Sequence, residues 1–255
     1  MPFAVSIGIL GLVQAALVAL PAPRPLPRWL DWARSPWWAL IPALSIAVVI
    51  AVIELDSESA TWLSYLALVA VPPLAAVALG LLVRGSQPVW ALAALPLFVL
   101  AWAAPGSLAG EAAATALSGL ACIALGWLLV SVVPAHWLRL GVYAMAAIDT
   151  WFVASDLLQG PNAVLNSAAP AGGLPRLQAI HLGSAQMGFG DLFVAALVGC
   201  LLARSRPRQL EAALLVAGLS LVFDLLFFAV DELPATVPVA LTLALVQLRV
   251  YRKTT

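Results

Sequence analysis

Long apolar runs, each closed by a cluster of charge, proline or glycine, organise this chain from end to end. A hydrocarbon core of about 30 Å needs about 20 apolar residues per helix, within a range of about 17–25. Nine runs meet or approach that length: Pro2–Leu20, Pro36–Ile53, Thr61–Val83, Pro88–Ala104, Ala112–Val133, His136–Leu158, Met187–Ala203, Leu210–Val230 and Pro234–Val250. The pattern predicts an all-α polytopic membrane protein with nine transmembrane helices and a single domain over 1–255. Residues 1–135 make a five-helix N-terminal scaffold, and 136–255 carry helices six to nine. The fourth, seventh and ninth runs are short, which local bilayer thinning or a re-entrant start accommodates. The first run lacks the basic n-region of a secretory signal and reads as a retained span. Trp29, Trp32, Trp37 and Trp38 gather around the start of the second run, as an interfacial aromatic belt would.

Between the runs, the basic residues alternate. One side collects Arg24, Arg28, Arg34, Arg84, Arg139, Arg204, Arg206, Arg208, Arg249, Arg252 and Lys253, and the other holds only Arg176, eleven against one. Cytoplasmic loops carry the excess of Lys and Arg, so the N-terminus is predicted outside and the C-terminus in the cytoplasm. Glu54, Asp56, Glu58, Asp231 and Glu232 lie on the sparsely basic, outer side. The one long connection, Gln159 to Gln186, is also outer. Its Gly160-Pro161, Pro170, Gly172-Gly173 and Pro175 argue against a crossing helix. Its Val164, Leu165, Leu174, Leu177, Ile180 and Leu182 are too apolar for an inert linker, and a segment lying over a membrane-facing site fits them.

Composition agrees. The chain is 64% hydrophobic and 9% charged, where soluble domains have about 45–50% apolar and about 25% charged residues. A formal net charge of zero excludes an electrostatic nucleic-acid partner. Cys122 and Cys200 fall in apolar runs without metal-ligand spacing and read as buried thiols. His136 and His181 lie near span ends, each without a second ligand at metal spacing. No metal or organic cofactor is therefore expected. The abundance of arginine, alanine and proline suits a prokaryotic chain, placing it in the cytoplasmic membrane.

Candidate chemistry comes from acids at membrane depth. A carboxylate there is costly unless it faces a partner or a wet cavity, so it marks a functional site. Asp149 lies in the sixth run, Asp191 one helical turn into the seventh and Asp224 in the eighth, while Asp156 sits at the loop boundary. The sixth run exits into the long loop and the seventh returns from it, so Asp149 and Asp191 are able to face one another on antiparallel neighbours. Two carboxylates sharing a proton around one water divide the roles of general base and general acid. Gly188 and Gly190 remove side chains beside Asp191 and let backbone or substrate approach.

The stretch Met187-Gly188-Phe189-Gly190-Asp191-Leu192-Phe193, with Val198-Gly199 downstream, resembles the seventh-helix motif of the presenilin and signal peptide peptidase family, the Gly-x-Gly-Asp intramembrane aspartyl proteases. Asp149 maps onto the sixth-helix aspartate of that family, followed by Gly160-Pro161 and Leu165-Asn166-Ser167-Ala168. Leu233-Pro234-Ala235-Thr236, followed by Val237-Pro238, is similar to the Pro-Ala-Leu motif that opens the ninth helix. The resemblance covers the last 120 or so residues by motif and the whole chain by its nine runs. It implies catalysis by Asp149 and Asp191, and substrate binding by Gly188, Phe189, Gly190, Pro234, Ala235 and Thr236. It also implies hydrolysis of peptide bonds within transmembrane segments, without metal. The outward position of the two aspartates resembles the signal peptide peptidase branch, whose substrates are transmembrane peptides or signal-anchor remnants of type II orientation, met within membrane lipid.

Two positions depart from the family. Ile148 stands where it has tyrosine, which bears on dyad positioning, and Thr236 stands where it has leucine, which bears on site shape. Rival readings remain at this point. A prepilin-peptidase-like protease shares Gly-x-Gly-Asp but has lysine where Phe193 stands, and an additional span between its aspartates. A proton-coupled transporter or silent scaffold would use Asp149, Asp191 and Asp224 as a polar path. On a structural reading, Asp224 pairs with a polar group such as Ser220 or Gln247 or binds water, and Pro234 is a simple helix start.

Overall fold

Among the described residues, eight α-helices and one β-hairpin follow the order of the apolar runs: α1 (Phe3–Ala19), α2 (Ser59–Val77), α3 (Ala94–Ala103), α4 (Leu108–Val132), α5 (Ala135–Ala154), β1 (Ala179–Leu182), β2 (Ala185–Gly188), α6 (Phe189–Leu202), α7 (Arg206–Asp224) and α8 (Thr236–Thr254). The structure is a computed structural model that describes residues 1–25, 32–42, 44, 48, 59–155, 164, 168, 170, 173–228, 230 and 232–254. Nine membrane-crossing helices are not what it shows. Among the described residues, three helical stretches are long and apolar enough to cross a membrane, Ala60–Leu82, Leu108–Val132 and Arg206–Phe228, and four further apolar helices are shorter. The predicted second span appears as a 3-10 turn at Pro36–Leu40 with helical backbone at Ile41, Pro42, Leu44 and Val48, and its remainder falls outside the described residues. The fourth begins as a 3-10 turn, Pro88–Ala93, since a proline start suits a tight first turn. Asp156 and most of the 156–172 segment likewise lie outside the described residues.

Apolarity decides which helix goes where. Helix α6 has no polar face, and a helix hydrophobic all round belongs in an interior. Leu192 through Cys200 are all buried. It is clasped by α1 and α4, and close approach is written into two glycines. A Cβ at Gly199 would stand 2.5 Å from the Leu17 carbonyl oxygen and 2.7 Å from that of Val18, and one at Gly126 would stand 3.2 Å from Leu197 Cα. Helix α1 also packs along α7, and α8 closes the bundle against α5, α6 and α7.

The outward faces keep their apolar side chains in contact with the surroundings. Trp62, Leu66 and Val69 on α2, and Leu210, Leu214 and Leu221 on α7, are all exposed at helical spacing. Apolar ridges of this size mark interaction surfaces rather than faces built for water. Polar contacts gather instead at the two ends of α1. At one end Ser184 Oγ donates to Met1 O at 2.9 Å, and Gly183 N–H donates to the Glu111 carboxylate at 2.7 Å. At the other, Arg206 donates to Ala19 O at 2.6 Å, while Arg84 donates to Ala203 O and Gln209 Oε1, both at 2.7 Å. Basic residues thus collect at the end opposite the chain start.

Candidate functional site

The hairpin β1–β2 delivers the Gly-x-Gly-Asp stretch. Its strands pair in antiparallel register from Ala179 opposite Gly188 to Leu182 opposite Ala185. Gly183, at φ 61°, takes the left-handed turn position that glycine occupies without strain. Strand β2 ends at Gly188, and α6 starts at the next residue. Gly188 N–H donates to Asp191 Oδ2 at 3.1 Å, so the carboxylate caps its own helix. That carboxylate fills the space beside Gly188, where a Cβ would meet Asp191 Oδ2 at 3.0 Å, whereas a Cβ at Gly190 would meet nothing within 4 Å. One glycine makes room for the acid and the other leaves the cavity open.

Asp149 comes from α5, on the opposite wall. It is fixed by α8: Thr236 Oγ1 donates to Asp149 Oδ2 at 2.6 Å. Thr236 itself is buried. Asp149 and Asp191 line one cavity of about 1040 Å³ and lie within range of each other's charge. Each has one carboxylate oxygen committed to a protein donor and, among the described residues, one oxygen uncommitted.

Seven of the eight sequence-predicted site residues line that cavity: Asp149, Asp191, Gly188, Phe189, Gly190, Ala235 and Thr236. Pro234 does not. It is buried behind the wall, where its carbonyl accepts the Val237 N–H at 3.1 Å and starts α8. Sequence reading missed Gln14, which lies 1% exposed on α1. Its Nε2 donates to Ala235 O at 3.1 Å and to Asp191 O at 3.4 Å. A lone glutamine in an apolar run was the available signal.

Asp224 and Ser220, one turn apart on α7, also line the cavity. Asp224 Oδ2 and Ser220 Oγ are buried without hydrogen-bond partners, and so is Gln247 Nε2, so the pairings expected for Asp224 do not form. The lining includes four acids, Asp149, Asp191, Asp224 and Glu232, and no Lys or Arg among the described residues. Outside the spans, burial first and Arg176 second hold the His181 imidazole of β1 below its ordinary pKa, with Glu111 pulling the other way. Among the described residues no group of three or more His, Cys, Asp or Glu is arranged to hold a metal. Compared with protein-family models, with curated proteins and with solved structures, the chain matches none.

Proposed function

We propose that this chain is an intramembrane aspartyl endopeptidase that hydrolyses peptide bonds within transmembrane segments. The observation that carries the reading is the convergence of Asp149 and Asp191, from different helices, on one cavity that Gly188, Gly190 and Thr236 also line. One carboxylate takes a proton from a water held between them, and the resulting hydroxide attacks the scissile carbonyl carbon. The other carboxyl protonates the carbonyl oxygen, giving a tetrahedral diol, and proton return to the amide nitrogen releases the two products. The donors on Asp149 and Asp191 leave one oxygen of each for that exchange.

Substrate handling follows from the backbone. A helical peptide bond in lipid is shielded by its own hydrogen bonds, so cleavage needs local unwinding. The freed strand needs new partners, and a two-stranded sheet has open edges that supply them. Strand β2 runs to Gly188, three residues before Asp191, and Gln186, Met187 and Gly188 all line the cavity. The substrates are transmembrane peptides or signal-anchor remnants, and the N-terminus faces outward.

The test is turnover of a helical reporter peptide by purified protein, comparing wild type with Asp149→Asn and Asp191→Asn. Loss of cleavage in both variants is expected, and equal turnover in all three overturns the proposal. A second reading rests on Asp224, whose unpartnered oxygen faces the same cavity: a proton-coupled transporter using three acids as a path. Proton-coupled flux in liposomes that survives transition-state-mimicking aspartyl protease inhibitors would favour it. The prepilin-peptidase-like alternative has less support, because Phe193 is an apolar, buried residue packed in the core.

A further inference from the structure

We propose that Gln14 is a positioning residue that sets the spacing of the two carboxylates, an inference that rests on the protease reading. Two segments 44 residues apart in sequence, Asp191 and Ala235, present main-chain carbonyls to one side-chain nitrogen. Gln14 Nε2 reaches Ala235 O at 3.1 Å and Asp191 O at 3.4 Å. A primary amide nitrogen carries two N–H donors, one for each carbonyl. No other natural side chain of this length and neutral charge offers both.

The consequence is a continuous link between the acids. Asp191 is tied through its own carbonyl to Gln14, Gln14 to the carbonyl of Ala235, and Ala235 is bonded to Thr236, whose hydroxyl donates to the Asp149 carboxylate at 2.6 Å. Four helices contribute: α6, α1, α8 and α5. Direct packing between α5 and α6 is slight, whereas α1 packs extensively on α6 and α8 packs on α5. The separation of the dyad is therefore governed through α1 and α8 more than by contact between the helices that bear it. Gln14 is buried and also lines the cavity, which leaves it no solvent-facing reason for its polarity. A polar side chain at that depth is retained for the bonds it makes.

The experiment uses the full chain in lipid nanodiscs with a helical reporter peptide. Gln14→Met keeps the volume and removes both donors; a lower kcat by roughly tenfold with KM nearly unchanged is expected, since small misplacements of reacting groups act on the chemical step. Gln14→Asn, one methylene short of spanning both carbonyls, does not restore the rate. The Gln14→Met and Thr236→Val losses combine to less than their product, because both cut one link.

A readout independent of turnover is short-reagent cross-linking of Ile148→Cys with Gly190→Cys, cavity positions that leave both aspartates and their bonds in place, in a Cys122→Ala/Cys200→Ala background. Gln14→Met is expected to lower its yield severalfold. Unchanged kcat together with unchanged cross-linking overturns the role of Gln14. Failure of the protease reading looks different: wild type, Asp149→Asn and Asp191→Asn then share one turnover, and the cross-linking still decides whether Gln14 sets the spacing.

Discussion

Replacing Thr236 by valine isolates one hydrogen bond in the proposed site. The side chain is 3% exposed, and valine matches its shape, so the change removes the hydroxyl and little else. What is lost is the 2.6 Å bond from Thr236 Oγ1 to Asp149 Oδ2. A hydrogen bond to a charged group contributes about 1.5–3 kcal/mol. The charge on Asp149 changes during the reaction, so the bond is felt unequally by ground and transition states. At about 1.36 kcal/mol per factor of ten, the loss corresponds to a fall of roughly 10- to 100-fold in kcat. The Asp149 carboxylate itself remains in Thr236→Val, which keeps the fall below that of Asp149→Asn. Thr236→Ser retains the hydroxyl and stays within a few-fold of wild type. Steady-state cleavage of a reporter peptide at saturating substrate measures this, with thermal unfolding in detergent run alongside. Full activity in a folded Thr236→Val protein would refute the reasoning.

Four further outcomes are expected. Gly199→Ala places a methyl against two main-chain carbonyls at 2.5 and 2.7 Å, and overpacking of this kind costs about 1–3 kcal/mol or more; a lowered unfolding temperature checks it. Gly190→Ala meets nothing within 4 Å, so unfolding is unchanged while cleavage-site preference in reporter peptides shifts. Gln209→Leu leaves Arg84 and Arg206 without their shared acceptor and Pro21 O without its donor, a loss of at least about 1.5–3 kcal/mol seen by chemical denaturation. Because the His181 pKa is lowered in the fold, the unfolded chain binds the proton first on acidification. Stability is then full above about pH 6.5 and falls as pH drops toward the folded value; amide exchange across β1–β2 at several pH values reads it, and His181→Gln removes the dependence.

Much of the bundle was legible because long apolar runs leave few choices. A run of that length satisfies its own main-chain groups as a helix, and the helix ends fall close to the charge and proline clusters, as for α4 and α7. The nine-span count outran the structure because length was inferred from apolarity alone. Helix α6 covers 14 residues, and it is buried by its neighbours, so its apolar character reports protein interior as much as lipid. The hairpin was hidden by the prolines and glycines of the long loop. Gly183-Ser184 between two short apolar stretches was nevertheless a two-residue turn signal. Asp149 and Asp191 were legible as acids at depth. Gln14 obeys the same logic but carries no charge, and its partners lie 177 and 221 residues away, a separation that no local pattern encodes.

The Thr236 hydroxyl gives the start of α8 a role beyond that of a helix start. Leucine at position 236 would offer Asp149 only an apolar neighbour. Threonine adds a hydroxyl donor to the carboxylate. A buried carboxylate with a protein donor needs less water around it. Ile148, beside Asp149 on the cavity wall, supplies no hydroxyl. The donor that Asp149 has comes from the neighbouring α8 and not from its own helix. Asp149→Asn therefore weakens the α5–α8 contact as well as the chemistry, while Asp191→Asn, capped by its own Gly188, disturbs α6 alone. Unfolding temperatures that fall for Asp149→Asn and hold for Asp191→Asn follow from that asymmetry, and equal shifts contradict it.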